Sequence, residues 1–97
     1  MKYQLIIAKS VYDNLEKIIE YYTTINVAYT NKIIVNLNRT IVSISTNPYL
    51  YPKLDYFPIY RKAIILKRFL LIYRINSNQI EILHFVDGIS NYPRLLS

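Results

Sequence analysis

Apolar residues along the chain recur first at strand spacing, then at helical spacing, then again in β-rich runs. Residues 3–8 (YQLIIA) form a short apolar run that predicts a mostly buried strand. Ser10 ends it, and Asp13 three residues later completes a helix-start pattern: the hydroxyl would accept an orphan backbone N–H, and the carboxylate would sit at the positive helix end. Val11, Leu15, Ile18, Ile19 and Tyr22 then form one apolar stripe, with Asp13, Asn14, Glu16, Lys17 and Glu20 on the other side. Thr23 to Asn26 interrupts the pattern. Val27, Ile34, Leu37, Ile41 and Ile44 carry a second stripe to about Thr46, although β-branched Ile33, Ile34, Val35, Ile41 and Val42 lower its helix propensity. The two helices are expected to form a hairpin.

Pro48 and Pro52 end the second helix, since proline lacks an N–H and restricts the residue before it. A loop to about Phe57 leads into three β-rich runs, 59–66, 69–75 and 80–86. The second break, Asn76-Ser77-Asn78-Gln79, is rich in turn formers. The first, Lys67-Arg68, lacks the Gly or Asn of a tight primed turn, so its loop is expected to be longer than two residues or bulged. The order β-α-α-β-β-β predicts an α+β fold, with the helical hairpin packed on one face of a mainly antiparallel four-stranded sheet. The other face is then left for function.

Ninety-seven residues, 53% hydrophobic with one Gly and four Pro, suit a single domain over 1–97 with one core. No run approaches the roughly 20 apolar residues of a membrane span, and the start MKYQLIIAKS meets a charge too soon for a signal-peptide core. With no Cys, disulfides and thiolate zinc sites are excluded. A cytoplasmic protein without membrane association is expected.

The formal charge of +6 is concentrated. Lys53, Arg61, Lys62, Lys67, Arg68 and Arg74 share the 53–74 stretch with the single acid Asp55, whereas the first 24 residues balance three bases against three acids. Such a face suits a polyanion or an acidic protein partner, set against the plainer alternative of a solvated surface. If the Lys67-Arg68 loop held two residues, Arg61 and Arg74 would lie close on one sheet face, where like charges need either an anionic partner or open solvent.

Catalytic chemistry has few carriers. His84, the only histidine, suits acid–base work near neutral pH, but its apolar strand favours a hydrogen-bonded structural role. Tyr92, near Arg94, could stack on a base or donate a proton. Asp13, Glu16 and Glu20 read as a solvated helix surface, so no metal site is expected. Gly88 is the only glycine, which leaves no phosphate-cradling loop, and no cofactor is implied.

Four stretches carry a resemblance: Ser10 to Tyr22 (SVYDNLEKIIEYY), Ser43 to Pro52 (SISTNPYLYP), Arg61 to Tyr73 (RKAIILKRFLLIY) and Ile80 to Leu96 (IEILHFVDGISNYPRLL). In this order, and over nearly the whole chain, they resemble the RelE/ParE toxin superfamily of type II toxin–antitoxin systems. The resemblance implies a growth-inhibitory toxin, of a kind also tied to plasmid stabilisation. A cognate antitoxin would neutralise it by wrapping a tail around it, forming a hetero-oligomer. RelE-like members cut mRNA on the ribosome; ParE-like members bind DNA gyrase and poison it without hydrolytic chemistry of their own.

Two departures bear on the target. Ribosome-dependent members tend to carry an arginine about where this chain has Leu70 and another near its Ile89. Metal-free RNA cleavage needs a base, a cation for the phosphorane charge and an acid. The expectation therefore leans to a ParE-like gyrase poison. The alternatives are a ribosome-dependent endoribonuclease with a non-standard set drawn from Arg61, Lys62, Arg68, Arg74, His84 and Tyr92, or a degenerate toxin that keeps only antitoxin binding. Target or antitoxin contact is expected at Arg61, Lys62, Lys67, Arg68, Arg74 and Arg94.

Overall fold

A computed structural model describes residues 3–89 and Leu96. The order is β1 (Gln4–Ile7), α1 (Lys9–Thr23), α2 (Val27–Thr46), β2 (Arg61–Ile65), β3 (Phe69–Asn76) and β4 (Gln79–Asp87). The sheet runs β1-β4-β3-β2, with β1 parallel to β4 and the other pairs antiparallel. This is the predicted β-α-α-β-β-β architecture, with α1 against β4 and α2 against β2.

Residues opposite one another across a ladder share a sheet face, so the registers sort the side chains. Ala63, Leu71 and Phe85 form one row and Ile65 and Phe69 another, facing the helices with Tyr73, Ile80 and Ile82. Val11, Ile18 and Tyr22 of α1 and Ile33, Leu37 and Ile44 of α2 close over them. The α2 stripe is rotated from the predicted one: buried Thr30 and Ile33 belong to it, and Val27 is exposed. Asn26 caps α2, its side-chain oxygen accepting from the Tyr29 N–H at 3.3 Å.

The start of α1 differs from expectation. The helix begins at Lys9, after Ala8, with no side-chain cap. Ser10 instead donates to the Leu83 carbonyl at 2.9 Å. Ile72 faces His84 and Tyr73 faces Ile82, so Leu83 is the extra residue of a β-bulge. Its carbonyl has no place in the ladder, and the serine takes it up. β1 also differs: Gln4, Leu5 and Ile6 are exposed, because the strand lies at the sheet edge beyond most of the helical cover.

The link between β2 and β3 holds three residues, Leu66, Lys67 and Arg68. The Arg68 N–H donates to the Ile65 carbonyl at 3.1 Å, and both central residues have positive φ, 55° at Leu66 and 58° at Lys67. These are the signs of a primed turn made without glycine. The third loop residue sets Arg61 opposite Tyr73, not Arg74. A one-residue change of register moves a side chain to the other face, so Arg61 and Arg74 lie on opposite faces of the sheet. The expected pair of like charges does not form.

Nor is the second face open throughout. Leu70 and Ile72 are fully buried there with Leu54, and Phe57, Tyr60, Val86 and Leu96 pack around them. The 47–60 loop reaches across because two anchors hold it. The Tyr73 hydroxyl donates to the Pro48 carbonyl at 2.7 Å, and Lys53 bridges antiparallel to Arg61. Ile59 and Tyr60, predicted as strand, belong to this loop, where the Tyr60 N–H donates to the Phe57 carbonyl at 2.9 Å.

Phe69 stacks on Phe85 (centroids 5.6 Å apart) and meets Tyr22 edge-on at 5.7 Å, with no exposed surface. Phe69→Ala is expected to cost about 3–5 kcal/mol in urea unfolding. Val42→Ala, on the exposed side of α2, should stay within about 0.5 kcal/mol. Near-equal costs would contradict this packing.

Candidate target- and partner-binding surface

The predicted cations are distributed around the rim of the sheet. At the start of β2, the Arg61 guanidinium donates to the Tyr51 carbonyl at 2.7 Å and lies 5.1 Å from the centre of the Tyr49 ring. Lys53, Pro58, Ile59 and Ser77 complete a shallow depression beside these two residues. Tyr49, Tyr56 and Ile59 are all exposed, so the corner offers apolar and aromatic contact along with its charge.

At the opposite end of β3, Arg68 belongs to a three-residue network. Its Nε donates to Asp87 Oδ1 at 2.8 Å, and the Tyr22 hydroxyl donates to Asp87 Oδ2 at 2.7 Å. The guanidinium also lies 5.5 Å from the centre of the Tyr22 ring. Asp87 thus ties α1 to the β2–β3 turn through β4. Burial, then the hydrogen bond and negative charge of Asp87, push the Tyr22 phenol up to about 12. The bond to Asp87 raises Arg68 further above its ordinary value. Lys67 stands exposed at the turn.

On the second face, Lys62, Ile72 and His84 form one cross-strand row and Arg74 faces Glu81. Arg74 donates through its Nε to Glu81, a contact that raises its pKa. His84 is pushed below its ordinary value by burial, which disfavours the imidazolium. Arg61 lies across the sheet from this group, so Arg61, Arg74 and His84 do not converge. Tyr92 and Arg94 lie outside the described residues. Leu70, where the nuclease branch would carry an arginine, is fully buried against Leu54 and Ile72; Ile89 is partly exposed just past β4.

A second group of cations lies outside the basic 53–74 stretch. α2 carries Lys32 and Arg39 and contains neither Asp nor Glu, a signal visible in its sequence. Both are exposed beside Ala28, Val35 and Leu66.

The fold agrees with the comparisons. The family described as the ParE toxin of the type II toxin–antitoxin system parDE matches residues 5–92, and the chain belongs to that family. A chain of the chromosomal ParDE system from P. aeruginosa superposes with TM-score 0.76 at 15% identity, covering 92% of this chain and 98% of that one. A YoeB/ParE toxin from Agrobacterium tumefaciens superposes with TM-score 0.58 at 16% identity, over 89% of this chain and 99% of that one. At these identities the superpositions establish a common fold. No curated protein sequence matches the chain.

The buried phenols give a pH prediction. Burial also pushes Tyr73 up to about 12, against an ordinary value of 10.0. The folded state holds these two protons where the unfolded chain releases them. Stability should therefore be insensitive to both groups below pH 10 and fall as pH rises from about 10 to about 12. Urea midpoints across that range test this, and Tyr22→Phe should reduce the fall. An unchanged fall in the variant would remove Tyr22 from the account.

Proposed function

We propose that this toxin arrests growth by binding a protein target, DNA gyrase, and that a cognate antitoxin neutralises it in the cytoplasm. The observation that carries the reading is the placement of its cations. RNA cleavage without metal needs a cation beside the reacting phosphate and an acid and base on either side of it. Here Arg61 and Arg74 occupy opposite faces, carboxylates engage Arg68 and Arg74, and Leu70 is a core residue. Rim charges spread among exposed tyrosines and aliphatics suit a protein contact instead. Interface cores favour aromatic and arginine side chains, and the corner pairs Tyr49 with Arg61 beside Lys53 and Ile59.

The antitoxin half of the proposal rests on family membership and on the net charge of +6. A basic toxin and an acidic partner attract over long range and associate fast at low salt.

Expression from a tightly repressed promoter tests the target. Growth arrest with loss of supercoiling in a reporter plasmid and intact reporter mRNA is expected. Rapid cleavage of the mRNA on ribosomes, with supercoiling preserved, would replace this reading with the nuclease one. Unimpaired growth would leave only a binding protein.

A further inference from the structure

We propose that the corner at the start of β2 is the surface by which this toxin holds DNA gyrase, and that it takes a protruding gyrase loop bearing a carboxylate beside an apolar side chain. The inference rests on the gyrase reading above. Arg61 is the anchor of the corner. Its Nη1 donates to the Tyr51 carbonyl at 2.7 Å, and its guanidinium lies 5.1 Å from the centre of the Tyr49 ring. An arginine fixed by two such contacts loses little further freedom when a partner arrives. Its other N–H groups bond to no described residue.

The state of the neighbouring charges points to an acidic group. Arg68 is held by Asp87 and Arg74 by Glu81, whereas Arg61 makes no ion pair with any described residue. Exposed Lys53 stands opposite Arg61 in a β-bridge and is likewise unpaired among the described residues. Asp55, the only carboxylate of the 47–60 loop, pairs with neither. Two cations at one site with no internal counter-charge can accept a carboxylate from outside, and the planar fork of arginine matches its two oxygens.

The apolar rim completes the specification. Tyr49 and Ile59 are 60% and 63% exposed, so an anion alone would leave both in water. Tyrosine set beside arginine is the composition of interface hot spots. The depression is shallow, running from Lys53, Pro58 and Ile59 of the loop to Ile75 and Ser77 near the β3–β4 turn. Its small extent suits one loop of a folded surface. A DNA backbone would satisfy Lys53 and Arg61 but offers nothing to Pro58 and Ile59, whereas an acidic loop with an apolar neighbour covers both.

The test measures the affinity of the full chain for purified DNA gyrase, first without DNA and then with gyrase bound to a DNA duplex. Wild type is expected to bind gyrase alone. Ile59→Asp should weaken binding about tenfold or more, because it places a charge on the apolar side of the corner. Lys53→Glu should weaken it about tenfold at low salt and less at high salt. Arg61→Lys, which keeps the charge and loses the planar fork, should weaken it about tenfold as well. Lys9→Glu/Lys17→Glu, twice the charge change of Lys53→Glu on exposed α1 positions, should alter it less than about threefold. Lys53, Ile59 and the two α1 lysines are exposed, so circular dichroism and thermal melting of these variants should match wild type. If Lys53→Glu or Ile59→Asp loses its fold, the other decides.

Wild-type gyrase binding retained by either folded variant, Lys53→Glu or Ile59→Asp, would overturn this combined contact while leaving the gyrase reading intact. Equal weakening by the α1 variant would reduce the effect to net charge and also overturn it. Binding seen only with the gyrase–DNA complex, and weakened there by Lys53→Glu but not by Ile59→Asp, would replace the gyrase loop with a DNA phosphate. Failure of the wild-type chain to bind gyrase with or without DNA would overturn both readings.

Discussion

Five consecutive residues of β3, Phe69 to Tyr73, have no exposed surface, and most of the structure follows from meeting that requirement. A strand sends alternate side chains to opposite faces, so burying every one of them demands cover on both sides. Phe69, Leu71 and Tyr73 are covered by the helical hairpin, and Leu70 and Ile72 by Leu54 and its neighbours in the 47–60 loop. The two covers are joined through Tyr73, whose ring packs in the helical core while its hydroxyl holds the Pro48 carbonyl.

With the middle of the sheet closed on both faces, charge is displaced to its rim. Arg61 leans on Tyr49 at one end, Arg68 is held by Asp87 at the other, and Arg74 meets Glu81 on the second face. This arrangement joins stability to function. A catalytic cleft needs polar groups converging on one reacting atom, whereas separated contacts around a rigid body suit recognition of another protein surface. The positions where the resemblance to RNA-cleaving toxins expects arginines hold Leu70, a core residue, and Ile89, an aliphatic one.

The helices and their order were legible because a stripe such as Val11, Leu15, Ile18 and Tyr22 has one simple periodic explanation. What escaped were features decided by a single residue of register or by a distant partner. Lys67-Arg68 signalled an untidy loop, but nothing in its chemistry shows that Leu66 joins it with positive φ, and that one residue separates Arg61 from Arg74. The bulge at Leu83 has no local signature, so Ser10 reads as a helix cap when its partner lies 73 residues away. β1 is apolar enough to look central, yet its edge position depends on the pairing of the whole sheet. The basic surface of α2 was readable throughout as a helix without a carboxylate, overshadowed by the denser run from Lys53 to Arg74.

The most direct test of the account is to incubate purified chain with purified DNA gyrase and supercoiled plasmid, and to follow both topology and broken DNA. The account predicts inhibited supercoiling or trapped gyrase–DNA breaks, reversed when the antitoxin is added first. Unaffected gyrase, with mRNA cut on purified translating ribosomes by the same preparation, would contradict it.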